Sequence, residues 1–133
     1  MNYKKLTTWA KICKVHGHNP KALPIVDHLP EKFQNWLINT YKMGIITEAI
    51  NTDENGVIWL PNYNDSNQRK YEALFWIKAT KDKPSGVGFS YSDYDGWHST
   101  TGCGSRLVFE SLDKLKHAQK YFENEFIEIH IIK

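Results

Sequence analysis

Apolar positions in the first third of the chain recur with a helical period. Trp9, Ile12, Cys13 and His16 stand at i, i+3, i+4 and i+7, which predicts a helix from Thr8 to His16. Thr7 or Thr8 supplies a hydroxyl for its N-cap, and Gly17 stops it. Pro20, Pro24 and Pro30 then break the period and predict an irregular connection, with Leu23, Ile25, Val26 and Leu29 pinning it to the core. A longer helix is predicted from about Pro30 to Asn51. Proline suits its first position, where the missing N–H has no partner to lose. Phe33, Trp36, Leu37, Tyr41, Ile45 and Ala49 trace its apolar stripe. Gly44 lies near that stripe and costs about 1 kcal/mol against alanine, which points to a close packing contact there.

Beyond the loop Thr52 to Gly56 the period shortens to that of extended chain. Val57 to Leu60 predicts a short strand ended by Pro61, and Asn62 to Asn67 has the composition of a turn. Arg69 to Thr80 predicts a second strand, with Tyr71, Ala73, Phe75 and Ile77 on one face and Leu74 and Trp76 on the other, both faces covered. A helix over Gln68 to Phe75 is the competing pattern. Lys81 to Gly86 is a turn and Val87 to Tyr94 a third strand. Asp95-Gly96 then signals a hairpin turn, with Trp97 to Thr101 returning and Arg106 to Glu110 adding a further short strand. Ser111 caps a last helix, with Asp113 favoured in its first turn by the helix dipole. Leu112, Leu115, Gln119, Phe122 and Phe126 mark its buried face, beside Ala118, while the pattern over 127–132 fits strand or helix equally. The sum is a single α+β domain over residues 1–133: a short, mainly antiparallel sheet packed against about three helices.

Composition changes this picture little. A chain of 133 residues suffices for an ordinary core, and a net charge of +2 calls for no polyanionic partner of the whole chain, leaving room for a local basic face. Cys13 and Cys103 form no disulfide framework, no apolar run is long enough for a membrane span, and no signal segment follows the first residues. These features imply a cytoplasmic protein with no membrane partner.

Candidate chemistry gathers in the stretch from Gly86 to Phe109, where glycines flank polar, aromatic and thiol side chains. Cys103 with His98 as base, and Asp93 or Asp95 to orient it, are the weak candidates for a thiol nucleophile, but they match no nucleophile signature. Gly102-Cys103-Gly104-Ser105-Arg106 offers freed amides, a hydroxyl and a guanidinium suited to phosphate or carboxylate. Tyr91, Tyr94, Trp97 and His98, with Lys78, Lys81 and Lys83 on the preceding turn, compose an aromatic and basic platform for single-stranded nucleic acid, which Asp93 and Asp95 oppose. Tyr91, Tyr94, Trp97, His98, Ser105 and Arg106 suit a protein partner as well. Cys13, His16 and His18, with His28 further on, are the candidate metal ligands. A structural zinc needs four ligands, and a second pair is missing, so Cys13 and His16 are assigned to packing of the first helix. No metal and no cofactor are implied. The unpaired edges of a short sheet are compatible with a homodimer.

Several short motifs carry a family likeness. Thr8-Trp9 with Gly17, Trp59-x-Pro61-x-Tyr63-Asn64, Lys70-Tyr71 with Phe75, and Gly104-Ser105-Arg106-Leu107 ahead of Tyr121-Phe122 together make the chain resemble a group of small proteins from Bacteroides-type gut bacteria and their phages and prophages. That resemblance spans nearly the whole chain. It implies a compact domain, expressed inside the cell in a phage or prophage context, and brings no catalytic residue. The chain departs from the pattern at Ala10 and Lys11, where acids are usual, and at His16, where an aliphatic is usual; His16 is therefore expected to be packed or half-buried. The expectation is a phage- or prophage-type accessory protein. It would bind a host or phage macromolecule without catalysing a reaction. Alternatives are a single-strand nucleic-acid binder and a small cysteine-dependent enzyme.

Overall fold

The computed structural model describes residues 2–132. After a 3₁₀ turn at Tyr3–Lys5 come helices α1 (Trp9–Val15) and α2 (Glu31–Ile50), strands β1 (Lys70–Lys78) and β2 (Gly88–Trp97), a 3₁₀ turn at Ser105–Leu107, and helices α3 (Leu112–Tyr121) and α4 (Glu123–His130). The expected α+β class holds: a two-stranded antiparallel sheet packs against helices. Thr8 caps α1 by accepting from the Lys11 N–H, Gly17 follows its end with φ 73°, and Ser111 caps α3 by accepting from Lys114. Residues 127–130 continue α4, which decides between the two patterns open for the tail.

Helix α2 forms where expected but buries only part of the anticipated stripe, with Ala49 inside and Ile45 packed against the core. Its buried residues are Met43, Ile46, Thr47, Ala49 and Ile50, whereas Phe33, Trp36 and Tyr41 of the anticipated stripe are exposed. Apolar side chains ring this helix, so periodicity alone could not select the packed side. The core joins Ile12 of α1 to Met43, Ile46 and Ile50 of α2, Leu115 and Ala118 of α3, and Phe122 and Phe126 around the α3–α4 break. Phe75 and Phe89 stack at 4.0 Å between ring centroids and seat the hairpin on Phe126. In the connection before α2, Val26 is buried and Leu29 half-buried, while Leu23 and Ile25 face solvent. Trp9 holds this segment by donating its indole N–H to the Pro20 carbonyl at 3.0 Å.

The sheet is smaller than the period suggested. Val57 to Leu60 forms one antiparallel bridge, Thr52 to Ile58, in place of a strand. Asp95-Gly96 is no turn: β2 runs through both residues to Trp97, paired with Glu72 and Tyr71. Gly96 instead admits the Arg69 guanidinium, since a Cβ there would lie 2.5 Å from Arg69 Nε. The hairpin turn is the Lys81–Gly86 segment, closed by the Val87 N–H on the Lys78 carbonyl at 2.8 Å. With the turn there, no return strand forms at 97–101. The segment at 106–110 gives only a bridge, Phe109 exchanging two backbone hydrogen bonds with Tyr71.

Candidate functional site

Register divides the hairpin into two faces. Cross-strand partners point the same way, so Lys70, Glu72, Leu74 and Trp76 share the outer face with Trp97, Asp95, Asp93 and Tyr91. Tyr71, Ala73 and Phe75 look inward. At its Lys70 end the outer face is covered, and the cover is built on two buried charged residues. Lys70 is wholly buried, and its ammonium donates to the carbonyls of Asp65, Gln68 and His98 while lying 5.0 Å over the Tyr63 ring. All three of its protons have acceptors, so it ties the 65–68 turn to the exit of β2. Flanking it, the Tyr63 hydroxyl and the Trp97 indole N–H are buried with no hydrogen-bond partner among the described residues.

Glu72 is the second anchor. Its carboxylate accepts from the Thr101 hydroxyl and from the Gly102 N–H at 2.8 Å. Thr101 in turn accepts from the Cys103 N–H at 3.3 Å and the Gly104 N–H at 3.0 Å. A Cβ at Gly102 would stand 3.2 Å from the Glu72 carboxylate, and Gly104 has φ 94°, which a side chain would strain. The glycine-rich nest thus does hold a carboxylate, and that carboxylate belongs to the protein. Ser105 and Arg106 turn away into the following 3₁₀ turn, and both are exposed.

Within this loop Cys103 is exposed as a residue, but its sulfur is turned inward toward the carbonyls of Gly104 (3.7 Å) and Leu107 (3.5 Å). Burial pushes the thiol up to about 12; the Glu72 charge adds to the rise and the Thr101 hydroxyl opposes it. Among the described residues no imidazole is hydrogen-bonded to this sulfur, and His98 contributes only its backbone carbonyl, to Lys70. The base–thiol pair anticipated for Cys103 and His98 is not assembled, and the neighbouring carboxylate works against a thiolate.

The aromatic platform is divided as well. Tyr91 and Trp97 lie on the outer face, with Trp97 half-buried beside Lys70, whereas Tyr94 falls on the opposite face near Lys116 of α3, whose ammonium is 5.9 Å from its ring. What stays open is the far end of the outer face: Leu74 (41% exposed) with the cross-strand pair Trp76 (64%) and Tyr91 (60%). Cover on both sides of β1 was expected, and at this end the outer side has none. Elsewhere, Cys13 is fully buried in the core while His16 and His18 are exposed, His16 bonding the Thr52 hydroxyl at 2.8 Å. Burial raises the Cys13 thiol.

Sequence reasoning missed Lys70 and Glu72. The available signal was their spacing, which puts them on the same strand face as Leu74 and Trp76. Among the described residues no helix is long and apolar enough to cross a membrane. No protein-family model, curated protein or solved structure matches this chain.

Proposed function

We propose that this chain is a non-enzymatic binding protein that receives a protein partner on the open end of the β1–β2 outer face. The observation that carries the reading is the exposed Leu74–Trp76–Tyr91 cluster, on a sheet whose other face is committed to the core. Large aromatic side chains on a rigid scaffold are the side chains that dominate protein interfaces. Asp93 and Asp95 share this face and repel phosphate, which favours protein over nucleic acid here. A cysteine-dependent reaction has little support, because the Cys103 thiol is held protonated by burial and the Glu72 charge, and among the described residues no imidazole is bonded to it. The motif resemblance supports placing the chain among accessory proteins of phage or prophage type.

The test is a photo-crosslinking residue placed at position 76 or 91, with the same residue at exposed Val57 as control. A discrete adduct with another protein, formed from 76 and 91 and absent from 57, is the expected result. Equal crosslinking from all three positions, or none, removes the hairpin as the interface. An adduct of two copies replaces the foreign partner with a homodimer.

A further inference from the structure

Charge is distributed unevenly in a way the net value hides. Residues 1–26 hold five lysines and no Asp or Glu, leaving 12 basic against 15 acidic residues in the rest. The fold concentrates this excess. An open groove of about 630 Å³ runs between the Tyr3–Lys5 turn and α1, lined by Lys5, Leu6, Thr7, Lys11, Lys14 and Val15. Leu6 and Val15 give it apolar lining beside the three lysines, one of which is steadied by Thr7, whose hydroxyl accepts from Lys11 Nζ at 3.1 Å. The ion pairs Lys42–Glu125 and Lys114–Glu110 leave the groove lysines out.

The basic surface continues onto α3. His117 bonds the Leu6 carbonyl through Nε2 at 2.7 Å and lies between Tyr3 (5.4 Å, edge-on) and Tyr121 (4.7 Å). Lys114 and Lys120 stand 5.7 and 5.1 Å from those two tyrosine rings. Of the acids near this face, Glu110 is paired with Lys114, Asp113 adds its charge to the burial that raises the Tyr3 hydroxyl, and exposed Glu123 follows Tyr121 by two residues. A cluster of lysines next to exposed rings is the combination that holds a nucleic-acid backbone while bases stack beside it. A duplex keeps its bases stacked inside, out of reach of these rings.

We infer that the groove between the Tyr3–Lys5 turn and α1, with the adjoining His117–Tyr121 face of α3, is a binding site for single-stranded nucleic acid, distinct from the hairpin surface. Phosphates contact Lys5, Lys11 and Lys14, and a base rests on Tyr121. The site is legible only in three dimensions, because its two halves lie about a hundred residues apart in the chain.

Fluorescence anisotropy of the full chain with labelled oligo-dT and oligo-rU tests this. Three phosphate contacts give a log–log salt slope of about −2, so raising salt from roughly 50 to 200 mM weakens binding about fifteenfold. Replacing Lys5, Lys11 and Lys14 together by glutamine flattens that slope. Tyr121→Ala weakens binding at least about fivefold with the slope unchanged, the effect of losing a stacked base. Replacing Lys78, Lys81 and Lys83 on the hairpin by glutamine removes the same charge and leaves binding as it was. All of these positions are exposed, and thermal unfolding confirms that each variant folds. The inference is overturned by any of three results: no binding of either oligomer at the lower salt, equal losses in the groove and hairpin variants, or tighter binding to a duplex, to acidic phospholipid vesicles or to polyglutamate.

Discussion

At the scale of single residues, the chemistry of the 101–104 loop is decided by one carboxylate. Glu72 occupies the amide of Gly102 and the hydroxyl of Thr101, and its charge stands close enough to Cys103 to oppose ionisation. A thiol titrating at about 12 has a very small thiolate fraction at neutral pH. Iodoacetamide should therefore label native Cys103 far more slowly than the unfolded chain at pH 8, with the rate rising about tenfold per pH unit through pH 10. Mass mapping separates it from buried Cys13. Fast labelling at neutral pH would mean that the loop opens in solution or that a base reaches the sulfur. Glu72→Ala should speed the reaction, since it removes both the opposing charge and the loop's anchor.

The element that departs most from its sequence pattern is α2. Its position follows from composition and punctuation: Pro30 precedes it, a run of helix formers fills it, and its length matches 31–50. Its orientation does not, because Phe33, Trp36 and Tyr41 compete with Met43, Ile46 and Ile50 for the inside. The packing contact anticipated at Gly44 is absent: a Cβ built there meets nothing within 4 Å. Gly44→Ala should then stabilise the protein by about 1 kcal/mol through helix propensity alone. For a chain of this size that is roughly 3–5 °C in melting temperature. A lower melting temperature would place an unseen neighbour against that face. The Asp95-Gly96 pair teaches the same lesson for strands. Its tolerance of turn geometry was legible, but Arg69 packing on Gly96 and the ladder to Tyr71 and Glu72 keep the chain extended.

Across the whole molecule, the end of α2 is joined to the segment leading into α3 by the side chain of Asn51. Its amide donates to the Val108 carbonyl at 2.9 Å and accepts from the Glu110 N–H at 3.1 Å, so a buried side chain acts as one rung of a sheet. Asn51→Leu fits the apolar surroundings but strands a buried carbonyl and leaves the Glu110 N–H without its acceptor, costing about 3 kcal/mol. Urea unfolding would report it. A loss below about 1 kcal/mol would mean that water takes over both partners. The class of fold, the positions of α1 and α2, the caps at Thr8 and Ser111 and the course of β1 were determined by the sequence alone, because local propensity and periodicity act within a few residues; the break of the last helix at Phe122 and the run of β2 through Asp95-Gly96 were not. Tertiary structure decided which faces are buried, that Lys70 and Glu72 lie inside, that the nest is filled by the protein's own carboxylate, and that Tyr3 and the Leu6 carbonyl meet His117 of α3. Those outcomes depend on contacts between residues 26 to more than 100 positions apart, and no local pattern encodes such pairings.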